Sequence, residues 1–398
     1  MRARIWILTV VLLLTALCGC AAAGGTGTVD HEASTARAPR YVGEYAERYP
    51  DEYASFVGGG TELEEDGLVH SHASLRYRVE TDEKLKESGL ACLSCKTGDF
   101  NDLYASYGME VFNMSYPEAA GHVVEYWSCR TCHAGAAPTD GAGATLVTFT
   151  LPAVRLVAEL DPESAACGQC HNALCDYARY LNGKDGRTLA DLDPYRYGTD
   201  AEALRKATAE DGFAPMTDEA TGDAIPYLGH PDIEIFQGSN HQQLGLTCAS
   251  CHMPTETAAD GTAFRNHNSS TSPLNNESAM RMCLDCHAGQ GVADTVAMRS
   301  FVRQRQAELG TQEDELLAAL DALQQRIAAA LALGAAAPDP ADLRAARAAY
   351  VDARYWYSFQ RASAERPGGK VAHNPAAMRA YLADAQAKVD EANALLGY

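Results

Sequence analysis

Five C-x-x-C pairs punctuate the middle of this chain: Cys92-Leu-Ser-Cys95, Cys129-Arg-Thr-Cys132, Cys167-Gly-Gln-Cys170, Cys248-Ala-Ser-Cys251 and Cys283-Leu-Asp-Cys286. In the last four the next residue is histidine: His133, His171, His252 and His287. Two thiols at this spacing can add to the two vinyl groups of one porphyrin, and the side chain that follows can turn beneath the ring to ligate iron. C-x-x-C-H is therefore the attachment signature of c-type haem. Zinc pairs make no demand for histidine at that place, and thioredoxin-like pairs do not come in fives. The chain is expected to carry five covalent haem c groups. Its fold class is then mostly α, with short helices and loops around five haems and long helices at the C-terminal end.

The first pair is the odd one, because Lys96 stands where histidine is expected. The chain has only seven lysines. An amine ligates iron only when neutral, which needs desolvation and a nearby metal charge. One haem that differs in its protein ligand points to one haem that differs in its task, and an open sixth position for a substrate is the simplest such difference.

Lys and Arg total 32 against 53 Asp and Glu, a formal charge of −21. A surface this acidic repels phosphate backbones and argues against nucleic-acid binding. At the start, Arg2 and Arg4 precede an apolar run from Ile5 to Leu17, too short for a membrane span and of the kind found in export signals. It ends Leu17-Cys18-Gly19-Cys20, which resembles a bacterial lipobox. That resemblance implies a signal peptide over 1–19, a lipid anchor on Cys20 and an extracytoplasmic protein, either in the periplasm or on the outer face of the cytoplasmic membrane. Haem attachment by this motif also requires export. Residues 20–40 are small and polar and read as a tether.

Residues 41–292 form the expected haem-binding region. Residues 293–398 become Ala-rich and helical and belong to the same domain. Leu316, Leu320, Leu323, Ile327 and Leu331 form a helical stripe stopped by Gly334 and Pro338. Asp339-Pro340 opens a second helix as cap and first residue, with Leu343, Ala346, Tyr350, Ala353 and Tyr357 on one face. Gly368-Gly369 breaks it, and Asn374-Pro375 starts a third that runs to about Leu396.

One C-x-x-C-K followed by four C-x-x-C-H resembles the ammonia-forming, penta-haem cytochrome c nitrite reductases. Tyr49-Pro50-Asp51-Glu52-Tyr53, the spacing of Arg76 before Cys92, and His230-Pro231-Asp232-Ile233-Glu234 are similar to family segments. The resemblance implies six-electron reduction of nitrite to ammonium at the Lys96 haem, with Arg76 and His230 as active-site residues. It implies distal iron ligands at His241, His267 and His373, and a fourth upstream of Arg76 at His72 or His70. His31 and His122 are read as ordinary histidines. The family carries Glu-Tyr-Tyr after its third haem motif, whereas this chain reads Asn172-Ala173-Leu174-Cys175-Asp176-Tyr177. Tyr177 is the displaced candidate for the pocket tyrosine, and Cys175 reads as an inert thiol. The family's calcium-binding Lys-x-Gln before the active-site histidine is here Tyr227-Leu228-Gly229, which leaves a Ca2+ site in doubt.

The resemblance further implies a membrane quinol-oxidising cytochrome as electron donor and a homodimer formed through the C-terminal helices. Two alternatives stay open. The chain could be a pure electron-transfer cytochrome, against which Lys96 argues, or could reduce sulfite or hydroxylamine at the same site.

Overall fold

The computed structural model describes residues 47–58, 72, 95–123, 128–133, 160–174, 193–214, 216–269, 271–333, 339–361 and 367–397. The helices in chain order are α1 (Pro50–Gly58), α2 (Phe100–Tyr107), α3 (Tyr116–Ala120), α4 (Cys129–Cys132), α5 (Pro162–Gly168) and α6 (Ala201–Glu210). There follow α7 (Asp232–Phe236), α8 (Asn240–Gln243), α9 (Cys248–His252) and α10 (Glu277–His287). Three long helices close the chain: α11 (Thr295–Ala332), α12 (Pro340–Arg361) and α13 (Pro375–Leu395). Two small antiparallel hairpins interrupt the helices. In the first, β1 (Met216–Thr217) pairs with β2 (Ala224–Ile225); in the second, β3 (Thr255–Thr257) pairs with β4 (Ala263–Arg265). The architecture is mostly α, as the haem spacing and the C-terminal periodicity led one to expect.

The side-chain core sits at the C-terminal end. On α11, Leu309, Leu316, Leu320, Leu323 and Ile327 are buried, and on α13 Met378, Leu382, Ala385, Val389 and Ala392. The alternating four- and three-residue steps keep one seam of each helix turned inward. Leu331 breaks this rhythm. After the step from Leu323 to Ile327, the seam continues at Ala330, which is buried, and Leu331 is left 38% exposed. The stripe from α12 runs through Ala346, Tyr350, Ala353 and Tyr357, all buried, while Leu343 is half-buried. Phe359 and Tyr381 join α12 to α13 with ring centres 4.5 Å apart.

The expected caps are present, while Gly334 and Pro338 lie outside the described residues and α12 ends at Arg361, before Gly368-Gly369. Asp339 Oδ1 accepts from Ala341 N at 2.7 Å and opens α12. Asn374 Oδ1 accepts from Ala377 N at 3.2 Å and opens α13. Gly368 has φ +72, and a Cβ there would fall 2.0 Å from the Gln306 carbonyl of α11. Only glycine satisfies both demands. Its N–H donates to the buried carboxylate of Glu313 at 2.8 Å.

Polar ties fasten the haem-binding region to these helices. The Tyr355 hydroxyl donates to the Ala201 carbonyl at 2.7 Å, and Arg205 pairs with Asp352 at 2.9 Å. Buried Asp218, in the turn of the first hairpin, accepts from the Tyr350 hydroxyl and the Gln324 amide, both at 2.7 Å, and from the N–H groups of Ala220 and Thr221. Burial alone would raise its pKa, but these donors outweigh burial and hold it below the ordinary carboxylate value. A lowered folded-state pKa gives stability that is present above the unfolded value and lost as the pH falls through the folded one. Asp218→Asn is therefore expected to cost about 1–3 kcal/mol at neutral pH. The gap to the parent should narrow below the ordinary carboxylate range, as read by denaturant unfolding of the helical signal at several pH values.

Candidate redox and substrate site

Each described C-x-x-C-H motif sits in or against one helical turn. In α9 the whole motif is helical, opened by Thr247, whose Oγ1 accepts from Ser250 N at 3.1 Å while Ser250 Oγ accepts from Thr247 N at 2.9 Å. Ahead of α4, Ser128 N donates to Thr131 Oγ1 at 3.1 Å. In α10 the motif is the last turn, and after α5 the N–H of His171 donates back to the Cys167 carbonyl at 3.0 Å. Positions i, i+3 and i+4 share one face of a helix, so this spacing presents two thiols and an imidazole on the same side. The described motif cysteines are unbridged. The third motif is central: Cys170 lies close to Cys95 of the first, and Cys167 close to Cys248 of the fourth.

The four C-x-x-C-H histidines each face a second histidine from elsewhere in the chain. Ring centres are 6.5 Å apart for His171 and His72, 6.2 Å for His133 and His267, 6.2 Å for His252 and His373, and 6.4 Å for His287 and His241. A metal–imidazole bond of about 2.0 Å on each side, plus roughly 1.1 Å from ligating nitrogen to ring centre, gives about 6.2 Å. The residues thus fit an iron between each pair.

The second ring nitrogen is often held as well. His267 Nδ1–H donates to the Arg265 carbonyl at 2.8 Å and His241 Nδ1–H to the Ala372 carbonyl at 3.1 Å. His72 Nδ1 lies 3.0 Å from Ser269 Oγ. Such bonds fix the tautomer and leave Nε2 for a metal. Burial, helped by the charges of His171, His252 and Lys96, lowers the pKa of His72 to about 3. Burial likewise takes His373 to about 4 and lowers His252 and His267. Metal ligation needs these rings neutral.

His230 stands beside this array, 5.5 Å from His171 between ring centres. Backbone pairing holds it: His230 N donates to the Asn172 carbonyl at 3.1 Å and Gly229 N to the Ala173 carbonyl at 2.9 Å. Glu234 Oε1 accepts from Ala173 N at 3.0 Å. Burial pushes the pKa of Glu234 up to about 8. The ring of His230 remains open on one side, yet its dense surroundings and the charge of His171 lower its pKa to about 4.

Two residues that motif reading did not single out lie at the centre. Asp232 Oδ2 accepts from His171 Nδ1–H at 3.0 Å, and its Oδ1 stands 3.1 Å from Lys370 Nζ. Within the His-Pro-Asp-Ile-Glu segment the histidine drew attention and the aspartate did not. Lys370 could have been noticed as one of seven lysines three residues before His373. Arg76, Cys92, Tyr177, Cys175, His70, His31 and Cys20 lie outside the described residues. His122 is exposed and packs on Tyr107 at 5.8 Å between ring centres.

The sequence profile of the cytochrome c552 family matches residues 68–397. The chain belongs to that family. Its members carry covalently bound c-type haems, and this chain is a multihaem cytochrome. Among solved structures, it is similar to the catalytic subunit of cytochrome c nitrite reductase from Desulfovibrio desulfuricans, at TM-score 0.67 and 17% identity. That match covers 90% of this chain and 86% of the other. A second similarity, to the outer cell wall cytochrome OcwA, has TM-score 0.29 and 20% identity over 56% of this chain and 44% of that one. The first shows a shared fold; the second is too weak to carry an argument.

The Desulfovibrio subunit is described with two calcium sites. Calcium takes six to eight oxygen ligands. Here Tyr227 is exposed, Gly229 has no side chain, and Asn172, Ala173 and Leu174 supply no carboxylate. Among the described residues, the metal-capable cluster of His, Cys, Asp or Glu is His171, His230 and Asp232, two imidazoles and one carboxylate. That set does not fit calcium.

The pairing predicts that His267→Ala converts one low-spin ferric signal into a high-spin one and spares the other three. Low-temperature electron paramagnetic resonance reads this directly; four unchanged low-spin signals would contradict the His133–His267 pair.

Proposed function

We propose that this chain reduces nitrite to ammonium with six electrons, at the haem attached through Cys92 and Cys95 and ligated by Lys96. The observation that carries the reading is the histidine pairing. The four C-x-x-C-H histidines are matched by His72, His267, His373 and His241, and Lys96 belongs to none of these four pairs. Four bis-histidine haems would conduct electrons to a fifth with a coordination position for substrate. Family membership and the shared fold agree with this.

Bound haem supplies electrons and an iron site for the anion. The chain's residues do the rest. Arg76 would hold nitrite through its guanidinium fork and offset its charge. His230, kept in place by Asn172 and Ala173, would donate its ring N–H and pass protons as the N–O bonds break. Tyr177 would add a phenol. Export, anchoring through Cys20, a quinol-oxidising membrane cytochrome as donor, and dimerisation through α11, α12 and α13 belong to the same reading. No helix among the described residues is long and apolar enough to cross a membrane.

Reduction of sulfite or hydroxylamine stays a second reading, because Tyr227-Leu228-Gly229 departs from the calcium-binding segment beside the pocket. The test is an anaerobic assay with reduced viologen, offering nitrite, hydroxylamine and sulfite in parallel. Nitrite turnover is expected to exceed sulfite turnover. Arg76→Ala and His230→Ala should each lose a factor of about 10² to 10³ in rate while keeping haem content and low-spin spectra. Arg76→Lys should recover only part, and His122→Ala should be nearly silent. Full nitrite turnover in Arg76→Ala would end the assignment.

A further inference from the structure

Asp232 accepts a hydrogen bond from His171, lies within ion-pair distance of the almost wholly buried Lys370, and has the ring of a second haem-facing histidine, His373, close by. Its Oδ2 takes the His171 Nδ1 proton at 3.0 Å. Its Oδ1 lies 3.1 Å from Lys370 Nζ and 3.8 Å from His373 Nδ1. His171 belongs to the third haem motif, and His373 faces His252 of the fourth. Lys370 is 4% exposed and Asp232 19%.

We propose that Asp232 and Lys370 form one buried charge pair that positions the axial imidazoles of two haems and sets the potentials of those two haems together. This rests on the ligand assignment given under Proposed function. A carboxylate on Nδ1–H makes the opposite ring nitrogen a stronger donor and so favours ferric over ferrous iron. The ammonium of Lys370 acts in the opposite sense. A buried carboxylate without a cation would be costly, and the lysine offsets that cost. On His267, His241 and His72 the Nδ1 partner is neutral: the Arg265 and Ala372 carbonyls and the Ser269 hydroxyl. The charged partner is therefore concentrated between the third and fourth motifs.

The segment that carries Lys370 is built for the task. His373 N donates to the Lys370 carbonyl at 3.0 Å, and Val371 N to the Gly368 carbonyl at 3.1 Å. This tight turn sets the ammonium 3.1 Å from the carboxylate and brings the His373 ring within 3.8 Å of it. Asp232 is the first residue of α7, which the 171–174 segment grips through Ile233 N to the His171 carbonyl at 3.4 Å. Both partners thus sit on backbone that is already fixed, and each is a positioning residue.

The experiment is a redox titration of the purified holoprotein, followed by electron paramagnetic resonance, on Asp232→Asn and Lys370→Met. His72→Ala and His373→Ala identify the third- and fourth-motif signals by their loss of low-spin character. Asp232→Asn should move those two haems to higher potential and Lys370→Met the same two to lower potential, with the others in place. A merely structural role would move neither. If the two identifying variants leave every low-spin signal intact, the ligand assignment fails and this proposal falls with it. If they behave as assigned but the potentials stay put, or move at other haems, the charge-pair proposal alone is overturned. Should Asp232→Asn mature without its full haem complement, Lys370→Met decides, since it leaves the carboxylate on His171.

Discussion

Four pairs of imidazoles, each with ring centres 6.2–6.5 Å apart, are the constraint on which the arrangement depends. The partners come from distant parts of the chain: His72 meets His171, His133 meets His267, and His252 meets His373. Closing loops of that length costs chain entropy that a few side-chain contacts would not recover. Iron ligation and porphyrin burial can. This explains why the helices between α1 and α9 are so short. Their role is to present a motif or a ligand at a given angle, and a single capped turn such as Thr247 with Ser250 is enough.

The C-terminal helices solve a different problem. They carry a conventional apolar seam, with Leu316, Leu320, Leu323 and Ile327 on α11 against the small residues Ala346, Ala349 and Ala353 on α12. Small residues let long helices approach closely, and tyrosines then fill the ends with a hydroxyl free for polar ties. Tyr350 and Tyr355 use theirs to grip Asp218 and Ala201 in the preceding region. The helical end therefore acts as a preformed wall against which the haem-bearing loops are registered. Segment 367–373 is its most direct extension toward the haem ligands, since Gly368 touches α11 while His373 faces His252.

Features governed by local chemistry were legible in the sequence. The C-x-x-C-H spacing is a covalent requirement, and it does lie on single helical turns. The three long helices follow from their apolar period, their caps at Asp339 and Asn374, and the stops around them, with α13 ending at Leu395 against the expected Leu396. Leu331 was misread because an exposed leucine one step off the seam looks like its continuation. The two hairpins escaped notice because strands of two or three residues have no period to detect. Which histidine meets which is not encoded in spacing at all. Nor is the meeting of Asp232 with Lys370, which depends on α7 and the 367–373 turn arriving at the same point.

The departures around His230 can be weighed in the same terms. Tyr227-Leu228-Gly229 offers no side chain that could hold a cation, so the neighbouring histidine needs another means of staying in place. The backbone provides it. Leu228 is fully buried, and Gly229 N and His230 N donate to the carbonyls of Ala173 and Asn172. Glu234 secures the same segment through Ala173 N. Each such buried bond is worth about 0.5–1.5 kcal/mol net, but leaving one unmade costs more. Together they tie His230 to the residues that directly follow the third haem motif. With Tyr227-Leu228-Gly229 before it, His230 is thus held by backbone bonds, and the charge nearby is carried by Lys370 against Asp232.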